Sequence, residues 1–89
     1  MKDIDNFPLD YTSNLYKKIG LNVKRIRESK GVSQLKLSHA IGHKSVSVIS
    51  CSEICINNYH FNIEHLSKIA YVLEVDICEF FKDAIPTDS

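Results

Sequence analysis

Apolar residues in this 89-residue chain recur every three or four positions, in runs that are each soon cut by a cap or a stop, and that leaves room only for short helices. Ser13 is placed to cap a first helix carrying Leu15, Ile19, Val23 and Ile26 inward. Lys30-Gly31 stops it, with a cation at the negative end of the dipole and a glycine free to turn left-handed. Ser33 caps the next helix, Gln34 to Ile41, which buries Leu37 and Ile41 before Gly42 ends it. Ser45 caps a third helix, roughly Val46 to Glu53, with Ile49 inward. A polar, irregular stretch, Cys55 to Phe61, follows. Asn62 then caps a fourth helix with Ile63, Leu66, Ile69, Ala70 and Leu73 on one face. Asp76-Ile77-Cys78-Glu79 has the form of a capping box and opens a last short helix through Phe80 and Phe81. Three glycines, two prolines and no tryptophan argue against a turn-rich all-β chain. The expected division is an arm at 1–12, one helical domain at 13–84 and a tail at 85–89.

A chain of this length builds one core and has little material left for a deep, dry pocket. No glycine-rich phosphate loop and no nucleophile–base relay stand out, so an enzyme is not expected, nor a cofactor. No apolar run reaches membrane-spanning length, and the acidic amino terminus lacks the apolar core of a signal peptide. Three cysteines, an odd count, read as reduced thiols in a cytoplasmic protein. Cys51-x3-Cys55-x4-His60-x4-His65 resembles a zinc ligand set superficially, but finger and knuckle spacings are absent, so no metal is expected. Cys78 is expected in the core beside Phe80 and Phe81, and His39, His43, His60 and His65 as surface residues without a chemical role.

Net charge is zero, but the chain is dipolar. Residues 1–16 carry −2, and residues 45–89 carry −5. Between them, Lys17, Lys18, Lys24, Arg25, Arg27, Lys30, Lys36 and Lys44 face Glu28 alone, a net of +7. A block of that sign fits either a polyanion partner or a solvated helix face.

A short helix, a brief turn at Gly42 and a second helix form a helix-turn-helix layout, in which one helix braces the DNA backbone and the next enters the major groove. Ile19-Gly20, Val23, Ile26-Arg27, Gly31-Val32-Ser33-Gln34, Leu37 and Gly42 resemble the phage-repressor-like (Xre/Cro-type) helix-turn-helix family. Ile49, Glu53, Ile63-Glu64-His65-Leu66, Ile69-Ala70, Leu73 and Val75 continue the likeness. It spans most of the chain, and it implies an all-α, compact five-helix lambda-repressor-like bundle.

The resemblance also implies roles. Ser33 would cap the second helix, and Gln34 would touch phosphate or brace a base-reading side chain. Arg27 and Glu53 would form a mostly buried ion pair. Val46, Ser47 and Cys51 fall at base-reading positions with Ser50 beside them, Lys44 and Ser45 precede that helix, and Asn57, Asn58, His60 and Asn62 would meet phosphates. This sequence departs from the pattern in four places. One extra residue lies between Gly42 and Ile49, and Ser38 stands where a buried alanine is usual. About two extra residues separate Glu53 from Ile63, and the expected glycine after Glu53 is replaced by Ile54-Cys55. Val46, Ser47 and Cys51 also lack the bidentate amide or guanidinium that reads adenine or guanine, which implies modest base discrimination.

The function expected is that of a small DNA-binding transcriptional regulator, a repressor or autoregulator such as a restriction–modification controller or prophage regulator. It would bind a two-fold operator on double-stranded DNA as a homodimer. Tyr71, Ile77, Phe80 and Phe81 are the candidate dimer contacts, and the arm's Phe7, Leu9 and Tyr11 offer another surface. The alternatives are an antitoxin-like or protein-interaction module on the same fold, or a thiol- or metal-responsive regulator.

Overall fold

The computed structural model describes residues 1–85. Four α-helices run along it: α1 (Tyr11–Ser29), α2 (Gln34–Ala40), α3 (Ser47–Ile54) and α4 (Ile63–Leu73). Two 3₁₀ turns, Ile4–Asn6 and Ile77–Phe81, flank them, and no strand occurs among the described residues. The expected fifth α-helix is therefore replaced by a 3₁₀ turn. Asp76 caps it by accepting the Cys78 amide N–H (2.9 Å), and the Lys82 amide closes on the Glu79 carbonyl three residues back. The expected tail falls mostly outside the described residues; Ala84 is still buried in the body and Ile85 is exposed.

α1 begins three residues earlier than the Ser13 cap predicts. Asp10 stands at its N-cap without a side-chain capping bond, and Ser13 lies inside the first turn, its hydroxyl donating to the Asp10 carbonyl (3.0 Å). Ile4, Phe7 and Leu9 before it are exposed, and Phe7 rests on Tyr11 with ring centroids 4.8 Å apart. Further along, Ile19, Val23 and Ile26 enter the core with Leu37, Ile41, Val48, Ile49, Phe61, Leu66, Ile69, Leu73 and Phe80. Gly20 sits where α1 crosses α3. A Cβ there would lie 2.5 Å from the Glu53 carbonyl oxygen and 2.8 Å from that of Ser52, so only glycine allows this approach.

The carboxy-terminal segment is fastened by a residue that the apolar pattern hides. Asn22, buried on α1, donates from Nδ2 to the carbonyls of Phe80 (2.9 Å) and Lys82 (2.8 Å). Phe80 is thereby seated in the core with no exposed surface, so it cannot serve the interface expected of it. Cys78 is exposed rather than packed, because the 3₁₀ turn points Phe80 inward in its place.

Candidate nucleic-acid interface

The site is built on a buried polar cluster. Arg27 on α1 donates from Nε to Glu53 Oε2 (2.7 Å) and from Nη2 to Glu53 Oε1 (3.1 Å), and its Nη1 donates to the Val32 carbonyl (2.8 Å). Gln34, the first residue of α2, donates from Nε2 to Glu53 Oε1 (2.9 Å). These four bonds tie α1, the α1–α2 turn and α2 to the end of α3. A guanidinium fork meeting a carboxylate fixes orientation as well as distance. The Gln34 amide is thus committed to Glu53, which makes it a brace within the fold. Ser33 caps α2, its hydroxyl accepting the Lys36 amide N–H (3.1 Å).

The turn between α2 and α3 takes up the extra residue. Gly42 adopts φ +94°, open to glycine and costly for other residues, and the His43 amide returns to the Ser38 carbonyl (3.0 Å). Ser38, fully buried on α2, donates its hydroxyl to the Ser45 carbonyl. That explains a serine in place of the family's alanine: the longer turn has a carbonyl to satisfy, and the hydroxyl satisfies it. Ser45 then accepts the Ser47 amide N–H (3.1 Å), while Val46 occupies the N-cap with helical backbone angles.

With that start, the register of α3 is set. Val48, Ile49, Ser52 and Glu53 face inward. Val46, Ser47, Ser50 and Cys51 are half-buried along the outer side, and Ile54 is exposed at its end. Ile54 was not among the expected contacts, although its spacing of three from Cys51 places it on the same side. The outer side carries hydroxyls, a thiol and methyl groups, and no amide or guanidinium. Lys44 is exposed immediately before it.

After α3 the chain turns through left-handed backbone at Cys55 (φ 55°), Asn57 (φ 55°) and Asn58 (φ 62°). Cys55 therefore occupies the left-handed position that the missing glycine would have filled, and two asparagines, which tolerate it, make up the longer loop. Asn57, Asn58 and Tyr59 are exposed, and His60 stacks on Tyr16 of α1 with ring centroids 3.8 Å apart. Asn62 caps α4 reciprocally: its Oδ1 accepts the His65 N–H (2.7 Å), and His65 Nδ1 accepts the Asn62 N–H (3.2 Å).

Burial pushes the Cys55 thiol above its usual range, and the hydrogen bond to Asp76 does the same to Cys78. Neither is therefore the low-pKa thiolate that metals and oxidants favour. Among the described residues no group of three or more histidine, cysteine or acidic side chains is placed to hold a metal ion.

Compared with known families, residues 23–80 match the helix-turn-helix family, which covers α1 from Val23 through α2, the turn, α3, α4 and Phe80. The chain belongs to the Xre/Cro-type helix-turn-helix family. Membership assigns a DNA-binding, transcription-regulating domain to this bundle, of a kind generally without catalysis. No curated protein matches the chain. No helix among the described residues is long and apolar enough to cross a membrane.

Proposed function

We propose that this domain is a repressor or autoregulator that binds a two-fold operator as a homodimer, with α3 in the major groove. The observation carrying this reading is the rigid mounting of α3: Glu53 at its end is gripped by Arg27 and Gln34, Ser38 ties down the turn before it, and its outer side is partly accessible from Val46 to Cys51 and exposed at Ile54. A helix presented this way enters the groove without a conformational cost. The +7 segment of residues 17–44 supplies the backbone attraction, and Lys44, Ser45, Asn57 and Asn58 flank α3 on its two sides. Val46, Ser47, Ser50, Cys51 and Ile54 would touch bases. Their chemistry suits thymine methyls and single hydrogen bonds, so specificity rests more on phosphate contacts and DNA shape than on bidentate readout. Ser33 would meet phosphate at the start of α2.

Dimerisation is proposed through Tyr71, which is 84 % exposed on α4, with Val72 beside it and Ile77 and Phe81 from the segment that follows. The residues before α1, 1–10, act as an arm, two residues shorter than the sequence predicts because Tyr11 and Thr12 belong to the helix. A salt titration of duplex binding by fluorescence anisotropy tests the reading. Affinity is expected to fall about a thousandfold between 50 and 200 mM salt if the dimer neutralises about six phosphates. Weak, salt-insensitive binding would instead assign the fold to a protein partner.

A further inference from the structure

The cleft beside the start of α3 holds two of the chain's four histidines. His43, in the turn before α3, and His65, in the first turn of α4, lie edge to face with ring centroids 5.9 Å apart. Both line a cleft of about 350 Å³ together with Ser45, Ser47, Val48 and Tyr59. Ser47 opens α3, so this cleft borders the surface assigned above to DNA.

The capping bond fixes the tautomer of one ring. His65 Nδ1 accepts the Asn62 N–H, so the neutral imidazole carries its proton on Nε2. Its remaining nitrogen is then a hydrogen-bond donor with no lone pair for a metal, which suits an anion. The charged and titratable groups around the pair are Lys44 next to His43, Tyr59 and His60 from the α3–α4 loop, and Glu64 and Lys68 from α4. Glu64 is engaged by Lys68 at 3.1 Å, and α3 contributes only Ser47 and Val48 to the cleft. Two imidazolium ions this close repel unless an anion lies by them.

We propose that His43 and His65 form a proton-dependent grip on a DNA backbone phosphate, so that binding takes up protons and tightens as pH falls through neutrality. This rests on the DNA-binding reading above. In the free protein, burial first and the charge of His43 second hold the His65 imidazole below its usual range. A phosphate at the cleft favours the charged form of both rings, which raises their proton affinity in the complex, and the protonated His65 Nδ1 then gives up the bond it accepts from the Asn62 N–H. By linkage, each proton fully coupled to binding strengthens it up to about tenfold per pH unit.

The test is anisotropy of a labelled random-sequence duplex, at fixed low ionic strength, from about pH 8 to about pH 6, where imidazole titrates. Wild type is compared with His43→Asn, His65→Gln and the double variant. Glutamine is a usual partner at this capping-box position, so His65→Gln preserves the start of α4. Wild-type affinity is expected to rise about threefold or more over that range. Each single variant reduces the rise and the double variant flattens it. Histidine NMR titrations are expected to show both imidazole pKa values higher with duplex than without. An undiminished pH dependence in the double variant, or unchanged histidine titrations, would overturn the grip while DNA binding itself stood. Absence of duplex binding even near pH 6 would overturn the DNA reading and the grip with it.

Discussion

Glu53 accepts two hydrogen bonds from Arg27 and one from Gln34 at a position that leaves it 1 % exposed. Removing one member of such a buried set leaves the others charged or unpaired in low dielectric, and that penalty exceeds the net worth of the pair. Glu53→Ala is expected to lower stability by about 3 kcal/mol in urea denaturation. From the sequence, Gln34 reads as a phosphate contact that could be truncated without harm to the fold. Its bond to Glu53 changes that expectation: Gln34→Ala should cost about 1–2 kcal/mol in the same measurement, and it should weaken DNA binding partly by loosening α3. Ser47 is different. Its side chain bonds the Ser45 hydroxyl and borders the cleft, and no bond from it reaches another helix, so Ser47→Arg is expected to leave the melting temperature nearly unchanged, to raise affinity and to shift the preferred bases, by adding a guanidinium fork at the start of α3.

The helices were legible wherever a periodic apolar stripe met a cap. Ser33, Asn62 and Asp76 each accept a backbone N–H at the start of the element their spacing predicts, and Ile19, Val23 and Ile26 enter the core. What the sequence hid has a common cause. Asn22, Ser38 and Gly20 act through contacts with backbone atoms of distant elements, and neither periodicity nor charge reports such contacts. The carboxy-terminal segment shows the same limit. Its capping signal is real, but five residues of 3₁₀ turn held by Asn22 replace the expected α-helix and send Phe80 inward instead of to an interface. Asn22→Ala removes one buried and one partly buried hydrogen bond and releases that turn, with an expected loss of about 2–3 kcal/mol. Hydrogen exchange at the amides of residues 77–84 should speed up before that of α2 does.

At the scale of the whole molecule, the charge distribution orients the domain. The cationic segment of residues 17–44 includes most of α1, α2 and the turn before α3, while the acidic residues from Glu64 onward belong to α4 and the segment after it. Solution pH acts on this arrangement through stability as well as binding. His65 has its folded-state pKa held below its usual 6.5, so the unfolded chain binds more protons there, and its stabilising share is lost as pH falls through and below that value. Glu64, held low by Lys68, and Asp76, held low by the Cys78 N–H, lose theirs in more acid solution, as pH falls below their usual 4.5 and 3.8. The melting temperature of the free protein is therefore expected to drop from about pH 7.5 to about pH 5.5, and less steeply in His65→Gln. Tyr71→Asp on α4 should shift sedimentation toward monomer and lower operator affinity, while binding of a single half-site stays near that of wild type.

The central claim is that α3, mounted on the Arg27–Glu53–Gln34 cluster, reads DNA at two half-sites related by a two-fold axis. Selection and sequencing of bound fragments from a random duplex pool, repeated at rising salt, tests it most directly. Enrichment of a two-fold sequence with half-site centres about one helical turn apart, and with preferences that shift at a few adjacent bases in Ser47→Arg, is the result expected. Recovery of unenriched sequence at every salt concentration, or a selected site indifferent to Ser47→Arg, would contradict it.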